Sequence, residues 1–237
     1  MHGKTNSMQT LPTAFLELFF PRFCAGCDRP LHHFEKAVCL NCVMRLPRAA
    51  VHHYRDNKLE KLFWGRADVG MVTAFLRMPR KGLTHKLVHE LKYQGNKEVG
   101  KVLGRLLGDE LRHQPDWREI DLILPVPLHP KKQQQRGYNQ AQEIAVGVSE
   151  SMSIPYSASI LKRRHYTETQ TKKSRVDRWR NVNDIFHVSE KQLRAYRHVL
   201  LVDDVITTGA TIEACVHALK AKAQITVSVA AIAMPVR

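Results

Sequence analysis

The sequence lacks an apolar run long enough to cross a membrane. The longest near its start, "LPTAFLELFF", has about half of the ~20 residues a spanning helix needs and carries Pro12 and Glu17. No small-residue cleavage site precedes the cysteines that follow, so a signal peptide is not expected and a cytoplasmic protein is. The chain has no internal repeat and no low-complexity segment. G-x-G-x-x-G is absent, which removes the usual dinucleotide fingerprint. Acidic residues are scarce: 22 Asp and Glu stand against 37 Lys and Arg, a formal charge of +15. Such a field concentrates polyanions, whether nucleic acid, nucleotide phosphates or an anionic membrane surface, without defining a fold.

What is present suits a soluble globular chain. Its 237 residues, 43% hydrophobic and 25% charged, can bury a core without covalent staples. We expect a polar leader and a cysteine subdomain over 1–47, a connector over 48–67 and the main domain over 68–237.

Cys24, Cys27, Cys39 and Cys42 form two C-x2-C knuckles. Each knuckle can point two sulfurs at one centre, and together they supply the tetrahedral thiolate set that Zn2+ prefers. With all four positions filled by sulfur the metal would be structural. Two disulfides are the rival reading, disfavoured in a chain without a secretion signal. Gly26 frees the first knuckle from Cβ strain. Cys215 stands alone in a helical pattern and reads as a small apolar residue.

Residues 68–78 are apolar and partly β-branched, which predicts a strand. Apolar residues at spacings of three and four over 83–111 predict two amphipathic helices separated by "QGN". Further strands are expected at 121–127, 198–204 and 225–234, with helices after the first two. Strands apolar on both faces that alternate with helices indicate an α/β fold, a mostly parallel sheet flanked by helices. Two decoys fall away. "GNKEVGKV" (95–102) fails as a phosphate loop because Val102 replaces the hydroxyl and no strand precedes it. His85 and His89 share a helix face without the glutamate of a zinc protease.

The stretch "VLLVDDVITTGAT" (199–211) carries chemistry. Ligands of open parallel sheets bind beyond the carboxyl ends of strands, where this turn lies. Backbone N–H groups and the hydroxyls of Thr207, Thr208 and Thr211 can wrap a phosphate at a helix N-terminus, and Gly209 permits close approach. Asp203 and Asp204 are suited to accept hydrogen bonds from sugar hydroxyls. A sugar phosphate satisfies both. The plain alternative is a solvated Asp pair and a capping threonine.

This stretch resembles the fingerprint of type I phosphoribosyltransferases, which bind phosphoribosyl pyrophosphate. The resemblance implies that Asp203 and Asp204 hold the ribose, and that Thr207, Thr208, Gly209, Ala210 and Thr211 hold the 5-phosphate. The cysteine quartet, "LKYQGNKEVGKVLG" (91–104), "PVPLHPKKQQQRGYNQAQEIA" (125–145) and "RRHYTETQTKKSRVDRWRNVNDIF" (163–186) follow in order. From Cys24 onward the chain is similar to the ComF/GntX family, tied to natural competence and use of external DNA; Tyr138 stands where phenylalanine is frequent. The resemblance implies a pyrophosphate loop at Val126, Pro127 and Leu128, although Pro127 has no N–H to give. It implies a mobile hood near 162–180, and phosphoribosyl pyrophosphate with Mg2+ as ligand. Arg136 can contact two phosphate oxygens at once, and Asn139 and Gln140 can orient a base or cap a helix.

Residues 162–180 also interleave Tyr166 and Trp179 with a run of basic side chains. Lys172, Lys173, Arg175, Arg178, Trp179 and Arg180 suit the backbone and bases of single-stranded nucleic acid. A solvated basic surface is the plain alternative. Two functions stay open: handling of incoming single-stranded DNA together with other DNA-uptake proteins, or Mg-dependent transfer of phosphoribose to a nitrogen acceptor, with Asp203, Asp204 and Arg136 as its catalytic set.

Overall fold

The apolar runs become a parallel sheet. The computed structural model describes residues 21–163 and 185–236. The helices and strands are α1 (Leu40–Met44), β1 (Val72–Met78), α2 (Leu83–Tyr93), α3 (Lys97–Arg112), β2 (Leu122–Pro125), α4 (Pro130–Arg136), α5 (Gln140–Met152), β3 (Leu161–Arg163), β4 (Phe186–Val188), α6 (Glu190–Leu193), β5 (His198–Val205), α7 (Ala210–Lys220) and β6 (Thr226–Pro235).

The sheet order is β1-β6-β5-β2, and every pairing is parallel. β5 is therefore interior, with Val202 in register with Pro125 on one side and Ala230 on the other. Tyr156 adds a parallel bridge to Ile123 at the β2 edge. Alternation divides β5 between two cores. Leu200 and Val202 join Leu87, Leu103 and Ile144 of α2, α3 and α5, while Val199 and Leu201 join Ile212, Cys215 and Val216 of α7. Both faces are covered, which explains why these strands are apolar throughout. Cys215 is fully buried there.

On the first face, α3 and α5 cross backbone to backbone. A Cβ on Gly104 would lie 2.2 Å from the carbonyl oxygen of Ile144, and one on Gly147 would lie 2.2 Å from that of Lys101. Only hydrogen fits at either point.

The cysteine segment shares this core: Cys24, Cys39 and Cys42 cluster with Phe75, Leu87 and Leu91. Here the reason for Gly26 differs from the expected one. The left-handed residue of the knuckle is Asp28, with φ 58°. A Cβ on Gly26 would instead meet Leu83 Cδ1 at 2.7 Å and Cys42 Sγ at 2.9 Å. The glycine lets the knuckle sit against the start of α2.

Residues 48–67 hold two 3-10 turns, Val51–His53 and Glu60–Phe63. Asn57 organises the second, accepting from the N–H of Leu59 at 2.9 Å and donating to the carbonyl of Val72 at 3.0 Å. Leu59 and Phe63 are buried against the α7 face. β3 and β4 pair antiparallel at the two ends of 164–184, a stretch outside the described residues.

Candidate functional site

β5 ends in Asp203, Asp204 and Val205, and the chain reaches α7 through Ile206–Gly209. Gly209, the N-cap, sits at φ 75° and ψ −1°, in the left-handed region, and has no side chain to cap with; the Ala210 N–H makes a long contact of 3.5 Å with Thr208 Oγ1. The turn, with Asp203 and residues 205–212, lines a small cavity of ≈ 50 Å³, and a helix start with spare N–H groups favours an anion there. The loop rests on Phe63: a Cβ on Gly209 would lie 2.9 Å from two of its ring carbons. Arg66 adds a second brace. It donates to the Thr208 carbonyl at 3.1 Å and pairs with Glu213, while its own carbonyl meets His217 Nε2 at 2.8 Å. Sequence reasoning missed both residues, because only tertiary contact brings 60–67 under this loop.

The two carboxylates differ. Burial pushes the Asp203 carboxyl up to about 8, and the adjacent Asp204 charge adds to it, against a hydrogen bond from the Asp204 N–H at 2.8 Å. Asp204 is paired with Lys92 Nζ at 2.9 Å. Lys92 is a further site residue that sequence reasoning did not single out. Its signal was the motif "LKYQGNK", which stands at the end of α2. Tyr138 fixes that end by donating its hydroxyl to the carbonyl of Leu91. A phenylalanine at 138 would leave this bond unmade.

Arg136 reaches the same rim. Its guanidinium carbon lies 5.2 Å from the centroid of the Tyr93 ring, and Nη1 donates to Gln140 Oε1 at 2.8 Å. The β2 loop is one strand away. Val126 uses both backbone groups within the fold, donating to Val202 at 2.8 Å and accepting from Asn139 Nδ2 at 3.0 Å. Since Pro127 has no N–H, Leu128 carries the remaining amide of the three. Asn139 is also the cap of α5, accepting from the N–H of Ala141 at 3.1 Å. Beside this loop opens a cavity of ≈ 490 Å³, bounded by prolines, by the amides of Gln133, Gln134, Asn139 and Gln142, and by Lys162 and Arg163.

The arrangement gathers backbone N–H groups and hydroxyls at 207–211 with the carboxyl groups of Asp203 and Asp204 beside them, Lys92 against Asp204, and Arg136 against Tyr93, the residue next to Lys92. A ligand both anionic and hydroxylated suits that combination. Lys172, Lys173, Arg175, Arg178, Trp179 and Arg180 lie outside the described residues.

The thiols of Cys24, Cys27, Cys39 and Cys42 all lie within 4.8 Å of one another. Ligation at about 2.3 Å in a tetrahedron needs sulfurs about 3.8 Å apart, and Cys27 and Cys39 stand 3.7 Å apart. Burial opposes ionisation of Cys24, yet N–H groups from Cys39, Gly26 and Cys27 outweigh it and bring the thiol down to about 7. The four residues can hold a metal ion such as zinc.

A family model described as "Phosphoribosyl transferase domain" matches residues 92–234. Competence protein F of Haemophilus influenzae is 32% identical over 193 residues, 80% of each chain. The DNA utilization protein YhgH of Escherichia coli O157:H7 is 31% identical over 193 residues, again 80% of each chain. Among solved structures, a glutamine phosphoribosylpyrophosphate amidotransferase from B. subtilis is similar with a TM-score of 0.44 and 22% identity, covering 60% of this chain and 30% of that one.

Proposed function

The chain belongs to the phosphoribosyl transferase domain family, as a homologue of competence protein F, and we propose that it binds phosphoribosyl pyrophosphate with Mg2+. The observation that carries this reading is the end of β5. Asp203 and Asp204 end the strand from which the chain runs, through Thr207 and Thr208, to left-handed Gly209 at the start of a helix. The ribose hydroxyls would meet the carboxylates, and the 5-phosphate would sit at residues 207–211. Mg2+ would supply neutralisation of the pyrophosphate charge. The Leu128 amide and Arg136 would face the same group. Lys92 would give up part of its hold on Asp204 as the sugar arrives.

The biological role we infer starts from the names of its relatives, competence and DNA utilization, and adds to them handling of incoming single strands and contact with other DNA-uptake proteins. The charge of +15 supports it, as does the basic segment containing Lys172 to Arg180. The reading includes a structural zinc at the four cysteines and a reducing, cytoplasmic setting that leaves those thiols to the metal. Among the described residues no helix is long and apolar enough to cross a membrane.

Calorimetric titration with phosphoribosyl pyrophosphate and Mg2+ tests the site. Wild type should bind, and Asp203→Ala/Asp204→Ala should not. Absence of binding by wild type, or equal binding by the double variant, sinks the assignment.

A second reading, phosphoribosyl transfer to a nitrogen acceptor, is favoured by the ≈ 490 Å³ cavity at the end of β2. It has room for an acceptor beside the ligand. Arg136 and Lys92 would stabilise charge on the departing pyrophosphate. Release of pyrophosphate on addition of bases would support this reading, and its absence with every base tried would leave binding as the function.

A further inference from the structure

Helix α2 ends in Tyr93, a residue 62% exposed. The residue before it, Lys92, pairs with Asp204, so the helix end that carries this ring borders the candidate site. Its surroundings differ from those of an ordinary surface tyrosine. The Arg136 guanidinium lies 5.2 Å from the ring centroid, and the His89 ring lies 5.0 Å away at 44°. Lys97 Nζ is close by, 5.3 Å from the ring of Tyr138. Among the described residues no carboxylate pairs with Arg136 or Lys97. Among those residues the helix end therefore presents an aromatic face with cations around it that no described carboxylate pairs.

The parts have different origins. Tyr93 and His89 lie four residues apart on one helical face. Arg136 comes from the end of α4, held in place by Gln140. Tyr138 fastens α5 to the last turn of α2 through the Leu91 carbonyl. The platform's side chains thus come from α2, α3 and α4, with α5 holding Arg136 through Gln140.

We propose that Tyr93, framed by His89 and Arg136, is a stacking platform for an unpaired base of single-stranded nucleic acid, with Lys97 and Arg136 placed for the flanking phosphates. A planar ring beside a guanidinium extends readily to a third planar group. Duplex bases keep their faces covered, so a single projecting ring selects unpaired ones. The cations favour a polyanion over a neutral partner. The inference rests on the DNA role proposed above and deepens it, because it places one contact at a named residue outside 172–180.

The test is fluorescence anisotropy with a labelled oligothymidylate, on wild type, Tyr93→Ala and Tyr93→Phe, over a salt series. Loss of one stacked base should weaken binding about five- to a hundred-fold. The salt slope should stay unchanged, because no phosphate contact is removed. Tyr93→Phe should bind as wild type does, and a duplex of equal length should be insensitive to Tyr93→Ala. The ring is exposed, so the circular dichroism and melting temperature of both variants should match wild type.

If wild type binds no oligonucleotide, the DNA role itself falls, and the platform with it. If wild type binds and Tyr93→Ala binds equally, the platform alone falls. Loss in Tyr93→Phe equal to that in Tyr93→Ala would show a hydroxyl contact instead of stacking and would also overturn it. So would simultaneous loss of phosphoribosyl pyrophosphate binding in Tyr93→Ala, which would mark a local collapse of the rim.

Discussion

Replacing Gly209 by alanine tests the construction of the loop more sharply than removing either aspartate. Two separable costs follow from the geometry. At φ 75° the new Cβ enters the left-handed region, worth about 1–2 kcal/mol for a residue that is not glycine. That Cβ would also lie 2.9 Å from two carbons of the Phe63 ring. Phe63 is fully buried, so the ring cannot swing away, and the overlap adds about 1–3 kcal/mol. The sum is about 2–5 kcal/mol. At roughly 2–4 °C per kcal/mol for a chain of this size, the melting temperature should fall by about 4–20 °C. Phe63→Leu should cost about 1–2 kcal/mol by itself through lost burial. In the double variant the overlap is relieved while the backbone strain remains. The double-variant cycle should therefore show a favourable coupling of about 1–3 kcal/mol. Urea denaturation of the four proteins measures it, and a ligand titration on each reports whether the phosphate end still binds. Additive losses would refute the claim that Phe63 supports the loop. An unchanged Gly209→Ala protein would refute both costs.

If the four cysteines hold zinc as proposed, its removal should destabilise the whole chain, because the cysteines share a core with Phe75, Leu87 and Leu91. Elemental analysis should give one zinc per chain, and a chelator should lower a single melting transition; an unchanged melt would remove the structural role. His198 makes stability pH-dependent. Burial lowers its pKa, and Nε2 meets Ser228 Oγ at 2.9 Å, while that oxygen accepts from the N–H of Met71 at 3.0 Å. With the folded value depressed, its contribution is present above about pH 6.5 and is lost as pH falls through the folded-state pKa. Melting temperatures from pH 7.5 to 5.0 should fall less steeply for His198→Gln than for wild type, and parallel curves would contradict this.

The main strands and long helices were legible because burial imposes its period on the chain. β5 reads as an uninterrupted apolar run since each face meets a core, and α3 shows its stripe at three and four. α4 was not legible: none of its residues is buried, so Pro130–Arg136 carries no apolar stripe. Asp203, Asp204 and residues 207–211 could be grouped from sequence because they are contiguous, and one strand-to-helix turn places them together. Lys92 and Phe63 could not. Each meets the site across more than a hundred residues; the motif "LKYQGNK" marked the stretch around Lys92 but not its partner Asp204, and nothing marked Phe63. Val126 shows the opposite limit. Its position in "PVPLH" was visible, but not that its N–H and carbonyl would be taken by Val202 and Asn139.

Those long-range contacts also tie the cysteine cluster to the candidate site at the end of β5. α2 spans them. Its first residue, Leu83, bears on Gly26 of the knuckle, and Lys86 in its first turn pairs with Asp28 at 2.5 Å. At its other end Lys92 holds Asp204 and Tyr138 fixes Leu91. A helix of 11 residues with Leu87 and Leu91 fully buried is a rigid strut. The cysteine cluster sets where α2 begins, and so helps to set where the ammonium opposite Asp204 can reach. A metal held by the four cysteines would thus matter to binding at the candidate site without touching the ligand, by fixing the far end of the element that carries Lys92.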